Sequence, residues 1–167
     1  LLIDRDAEAN LGGLAKESFG GLWFAGTALQ RRYGIHDGVQ QGLQDWHAFA
    51  EFEPGDHWPR AWAEAYVQRC IPEIYDWLQG IGVQFMPMPL WVERGLHTPG
   101  NSVPRWHIVW GTGHELAVVM NRHLLSRPNV DRLQLRFEHR VEALVTTNGR
   151  VSGCRGVMEG TEQEFEA

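Results

Sequence analysis

Gly12-Gly13-Leu14-Ala15-Lys16-Glu17-Ser18-Phe19-Gly20-Gly21-Leu22-Trp23 is the stretch whose reading decides the fold. Two glycine pairs lie close together, with a serine between them and no proline. Glycine is used where backbone turns through positive φ or lies directly against another group, because a Cβ would clash there. Just upstream, Leu1-Leu2-Ile3 is an apolar run ending on Asp4, which reads as a buried parallel strand with an acid at its carboxyl end. Strand, acid and glycine-rich turn together are more specific than any one of them. Taken alone, the loop is equally readable as a surface connection in which glycine serves only the turn.

Downstream, Val39 to Phe52 places Val39, Leu43, Trp46 and Phe49 at helical spacing, and Glu53-Pro54-Gly55-Asp56 stops it. Asp37 is a plausible cap for that helix. A second helix starts near Pro59 and runs to about Leu78, with Pro72 inside it as a kink or a break. Val83 to Phe85 is a short strand, Met86 to Gly100 a loop, and Val103 to Trp110 an extended segment. Gly111-Thr112-Gly113 leads into a helix from about His114 to Leu125. Leu133 to Phe137 alternates as a strand should. Asn148-Gly149 between alternating runs (141–146 and 150–157) is a hairpin signal. The acidic tail reads as the start of one more strand.

The 167 residues carry a formal charge of −6 and no run of Lys or Arg, which argues against a nucleic-acid surface. No apolar stretch approaches membrane-spanning length. Cys70 and Cys154 show no metal or redox spacing, and the histidines are scattered, so no metal site and a reduced, cytoplasmic setting are expected. No hydrolase, metalloprotease or P-loop signature occurs. Catalysis, if present, has to come from a cofactor.

Asp4, Gly12-Gly13 and Ser18 to Trp23 resemble the region after the second strand in the fumarate reductase and 3-ketosteroid dehydrogenase group of FAD-dependent flavoproteins. The likeness continues through Gln44-Asp45-Trp46, Asp56 to Arg60, Gly100-Asn101-Ser102-Val103-Pro104-Arg105 and Trp110 to Gly113. It implies an α/β fold: a partial, three-layer, Rossmann-like FAD-binding domain over residues 1–167, with a helical insertion at 36–80 and a β element at 137–157 near the adenine. Such a flavoprotein opens with a strand and a Gly-x-Gly-x-x-Gly turn. That motif is absent here, so the chain is expected to be an internal fragment, inactive and weakly stable alone.

The resemblance also implies site residues. Asp4 matches the acid that accepts hydrogen bonds from the adenosine ribose. Gly12, Gly13, Ser18, Gly20 and Gly21 match the backbone along the pyrophosphate and ribityl chain, with an ordinary cap as the other reading of Ser18. Val141 matches the strand residue beside the adenine. Leu14 stands where covalent relatives carry a histidine, which implies non-covalent FAD. Asn101, Arg105, His107 and Thr112 are substrate-pocket candidates, with Trp91, Trp106 and Trp110 as walls or core. The catalytic acid or base is not identified within these residues. The implied activity is hydride exchange with a carbon–carbon bond next to a carbonyl of a small-molecule substrate. A non-catalytic nucleotide-binding or scaffold protein is the other class, and oligomeric state is open.

Overall fold

A computed structural model describes residues 1–92, 99–158 and 161–166. The part of the expected loop at 93–98 lies outside the described residues. The chain divides into two compact units, Ala15–Val119 and a second made of Leu1–Leu14 with Met120–Ala167.

The first unit is a helical layer on a small antiparallel strand pair. Strand β2 (Gly21–Trp23) pairs with β3 (Trp106–Ile108), with Leu22 opposite His107. Isolated bridges Phe85–Val109 and Leu90–Trp106 add the 84–90 segment on the far side of β3. The expected strand at 83–85 is therefore reduced to single bridges, as the prolines at 87 and 89 supply no N–H for a ladder. Helix α1 (Ala28–Arg32) starts at a capping box: Thr27 Oγ1 accepts from Gln30 N, and the Gln30 side chain reaches back to the Thr27 N–H. Helix α2 (Val39–Ala50) follows, and α3 (His57–Arg69) has Pro59 in its first turn.

At Pro72 the helix does not break. Residues Cys70–Tyr75 widen into a π-helical turn that runs into α4 (Asp76–Gly80). Proline has no N–H for the i→i−4 bond, and an inserted residue lets the chain continue as helix around that gap. Phe24, Cys70, Tyr75, Leu78, Val83 and Val109 form the core of this unit. Apolar side chains of the helices meet the β2–β3 pair there, and their burial drives the packing. Helix α5 (Thr112–Leu125) begins in this unit.

In the other unit, β1 (Leu2–Ile3) pairs in parallel with β4 (Leu135–Arg136). Backbone bonds continue past the strand ends, with His139 N–H donating to Asp4 O at 2.9 Å. A meander of β5 (Arg140–Thr147), β6 (Arg150–Met158) and β7 (Thr161–Glu166) completes it, in the order β5-β6-β7. The Asn148-Gly149 turn has φ of 52° and 75°, the left-handed pair that a two-residue hairpin needs. The acidic tail is a strand paired along β6, from Met158 opposite Thr161 to Gly153 opposite Glu166.

Candidate functional site

The parallel strand expected before the acid forms at Leu2–Ile3, half-buried rather than buried, with Leu1 exposed. Asp4 follows β1, and its Oδ1 accepts from the Asp6 N–H at 2.9 Å, closing a tight turn. The second carboxylate oxygen has no protein partner among the described residues. Gly12 and Gly13 have φ of 107° and 48°. A Cβ built on Gly13 would meet nothing within 4 Å, so this backbone faces open space. Val141 is 44% exposed on β5, the edge strand of its sheet, so alternate backbone groups there point away from β6. These features of one unit suit the adenosine end of FAD: a free carboxylate oxygen, an open glycine backbone and an unpaired strand edge.

Ser18, Gly20 and Gly21 sit in the other unit and behave differently. Ser18 Oγ donates to Ala15 O at 2.8 Å and accepts from the Gly20 N–H at 3.2 Å, so its hydroxyl braces the loop. The Gly113 N–H, at the start of α5, donates to Ser18 O at 2.9 Å. A Cβ on Gly113 would stand 2.0 Å from Ala15 O, and one on Gly20 2.6 Å from Gly113 N. On Gly21 it would enter the Trp106 indole at 2.2 Å. Each of these glycines lets a second piece of protein lie directly on the backbone. Thr112, between them, holds φ of 63°, a conformation a β-branched residue rarely adopts, and its hydroxyl donates to Gly111 O. It is exposed.

Arg105 and His107 are in the interior. Arg105 is 1% exposed and donates from Nε and Nη2 to the two oxygens of Asp37, at 2.7 and 2.8 Å. Its Nη1 donates to Asp45 Oδ2 at 2.6 Å, and the guanidinium lies 5.2 Å from the Trp23 ring centroid. Asp37 is thus not the helix cap the sequence suggests; Gly38 holds that place without a side-chain bond. A buried guanidinium outcompetes two backbone N–H groups for the carboxylate, since a charge-assisted bidentate pair is the stronger interaction.

His107 is fully buried, and burial pushes its imidazole below the usual range, against the raising effects of the Arg105 carbonyl and Asp37. The neutral ring donates from Nδ1 to Arg105 O at 2.8 Å and accepts at Nε2 from the Thr27 hydroxyl at 2.9 Å. Gln30 closes the circuit, donating from its amide to Asp37 Oδ2 and Pro104 O. Asn101 is also buried. As side chains, Arg105 and His107 face neither solvent nor an open pocket; they tie α1 and α2 to β3.

An aromatic cavity of about 290 Å³ lies beside this network, lined by Trp23, Trp46, Phe49, Val92, Gly100 and Trp106. Trp106 is both its wall and the ring laid over Gly21. Sequence reading named Trp106 but missed Trp23, Trp46 and Phe49. Their spacing gives only a helix face and a strand, with no sign that the two meet. Trp23 and Trp46 are 5.0 Å apart edge to face, and Tyr66 donates to Trp23 O at 2.8 Å. Burial raises the Tyr66 hydroxyl to about 12, with Cys70 adding to the shift, so it stays a donor at neutral pH.

Comparison with known proteins gives the class. Residues 6–167 match the family described as FAD binding domain, and the chain belongs to that family. It is 44% identical over 160 residues to a KsdD-like steroid dehydrogenase of Mycolicibacterium smegmatis and 42% identical over 170 residues to a KsdD-like steroid dehydrogenase of Mycobacterium tuberculosis. It covers 93% and 98% of itself in those matches but only 29% of each relative's length. Among solved structures, a 3-ketosteroid-Δ4-(5α)-dehydrogenase from Rhodococcus jostii, in complex with 4-androstene-3,17-dione, superposes with a TM-score of 0.76 at 21% identity, over 99% of this chain and 38% of that one. A flavocytochrome c3 fumarate reductase gives 0.65 at 16%, over 93% and 29%. At those identities the likeness establishes the fold, and it is the FAD-binding α/β fold the sequence suggests. No helix among the described residues is long and apolar enough to cross a membrane.

Proposed function

We propose that this chain is the FAD-holding part of an oxidoreductase that exchanges hydride with a carbon–carbon bond next to a carbonyl, and that its small-molecule substrate is a steroid. The observation that carries this reading is the 44% identity to a KsdD-like steroid dehydrogenase over 160 residues, 93% of this chain. When bound, FAD supplies the hydride acceptor and donor. The residues of this chain bind and orient it. Asp4 accepts from the ribose hydroxyls, Gly12 and Gly13 let the backbone approach the pyrophosphate, and the β5 edge at Val141 meets the adenine. The braced turn of Ser18, Gly20 and Gly21 runs beside the ribityl chain, with exposed Thr112 on the substrate side. Arg105 and His107 hold the β2–β3 pair beside that turn in shape, and Asn101 is buried nearby in sequence. Residues 36–80 act as a helical insertion and 137–157 as the adenine-side β element.

Leu14 supports non-covalent attachment, since no histidine occupies its place. The two free cysteines agree with a reducing, cytoplasmic setting. The test is anaerobic mixing of the complete, flavin-loaded protein with a 3-ketosteroid. Bleaching of the flavin band supports the reading. A flavin that every 3-ketosteroid leaves oxidised, while another enoyl or dicarboxylate substrate reduces it, would refute the steroid assignment and keep the redox class. Acid precipitation should leave the flavin in the supernatant.

A further inference from the structure

A second cleft lies away from the glycine loop, between α1, the π turn with α4, and residues 82–87. Two cavities of about 470 and 280 Å³ share Leu29, Arg32, Tyr75 and Gln79 as walls and so form one depression. That is the size range of small-molecule sites. Val83, Phe85 and Pro87 give it apolar walls, and the Tyr75 ring stacks on Phe85 at 5.2 Å and 10°.

Two polar groups there lack protein partners. Tyr75 is only 4% exposed, yet its hydroxyl has no hydrogen-bond partner among the described residues. The ring is buried, but the hydroxyl oxygen is not itself enclosed; it opens onto the cavity wall, where a ligand can take the bond that solvent otherwise takes. Burial, helped by Asp76 and opposed by Arg31, raises the Tyr75 hydroxyl, so it is an O–H donor at neutral pH. The Arg32 guanidinium makes no ion pair among the described residues either. Its neighbour Arg31 is spent on Gly26 O at 2.7 Å. Gln79 and Gln84 line the same cleft with side-chain amides.

One exposed cation, one hydroxyl donor open to the cavity and two amides above an apolar wall define a ligand chemistry. A phosphate dianion calls for several cationic or clustered backbone donors. Here a single arginine meets neutral donors, with the Asp76 carboxylate acting on the same tyrosine. That balance favours a single negative charge.

We propose that this cleft binds a small monocarboxylate with an apolar ring body, its carboxylate held by Arg32 and the Tyr75 hydroxyl and its ring against Leu29, Phe85 and Pro87. The inference stands apart from the assignment of FAD and steroid.

The probe is 2-naphthoate, titrated into the complete flavin-loaded protein by calorimetry, with 2-naphthamide as the uncharged counterpart. Saturable naphthoate binding is expected, with the amide at least about tenfold weaker, because a hydrogen bond to a charged group is worth more than one between neutral groups. Arg32→Gln should weaken naphthoate about tenfold or more, and Tyr75→Phe about fivefold. Tyr75→Phe removes only an oxygen without a protein partner, so the variant keeps its fold and its loss reports on the ligand. Flavin absorption should be unchanged throughout. Absence of saturable binding, or binding that ignores both variants or accepts the amide equally, overturns the proposal. Displacement of the flavin by naphthoate overturns it too, since the ligand would then sit in the cofactor site.

Discussion

Replacing Arg105 by Met removes the one cation that Asp37 and Asp45 share among the described residues. The Asp37 side chain is fully buried and that of Asp45 is 11% exposed, so neither carboxylate recovers its lost bonds from water. Three hydrogen bonds of 2.6 to 2.8 Å go together with the guanidinium over Trp23. Breaking a buried pair by deleting one partner costs about 3–5 kcal/mol, mostly the penalty of the charge left behind. Methionine refills much of the arginine stem's volume, so the packing loss is small and roughly 4 kcal/mol is the expected total. The assay is urea unfolding of the complete protein, followed by tryptophan fluorescence, because the Trp23 ring lies directly against the substituted group. Neutralising the carboxylates should return more than half of the loss in the triple variant Asp37→Asn, Asp45→Asn, Arg105→Met, since the penalty is electrostatic. A cost below about 1 kcal/mol for Arg105→Met at unchanged m-value would refute the reasoning. So would a triple variant no better than the single one, which would make the arginine a space-filler.

Three further outcomes follow from other parts of the molecule. Burial lowers the His107 pKa below its ordinary 6.5, so the folded state binds fewer protons than the unfolded chain. Stability is therefore full above pH 6.5 and falls as pH drops below it; the difference between wild type and His107→Gln, measured by urea melts from pH 7.5 to 5.5, should narrow toward the acid end. Gly21→Ala drives a methyl into the Trp106 indole and should cost at least 1–3 kcal/mol; Trp106→Leu in the same chain should restore part of it, and strict additivity of the two costs would count against the contact. Asp4→Ala should weaken FAD binding by roughly 1.5–3 kcal/mol, the value of a hydrogen bond to a charged group, and an unchanged dissociation constant would make Asp4 a turn residue only.

The parts of the fold that were legible are those carried by local rules. Helical spacing located α2 and α3, an Asn-Gly pair located the β5–β6 turn, and an apolar run with a terminal acid located β1. Pro72 marks an interruption in the sequence, but a proline alone does not say that the chain will pass its missing N–H by widening into a π turn. The aromatic cavity was not legible because its walls come from residues 23, 46, 49, 92, 100 and 106, brought together only by tertiary folding. Asp37 shows the same limit: next to a helix start it looks like a cap, and a partner 68 residues away claims it.

The glycine-rich stretch and the Gly111-Thr112-Gly113 turn between them contain glycines of two physical kinds. Gly13 faces open space at positive φ, so its backbone is accessible to solvent or to a ligand. Gly20, Gly21 and Gly113 face protein: the start of α5, an indole ring, and the loop's own carbonyl. A sequence motif counts them alike. Their costs of substitution differ, because a methyl on Gly13 meets only backbone strain, whereas one on Gly113 must displace the Ala15 carbonyl and the Ser18 hydroxyl together. The shape a cofactor would meet is thus built by protein–protein contacts within the loop before any ligand arrives. Such preorganisation lowers the ordering cost of binding. It follows that Gly113, which belongs to no glycine pair and lies 92 residues beyond Gly21, should matter to flavin affinity as much as the glycines proposed to line the flavin.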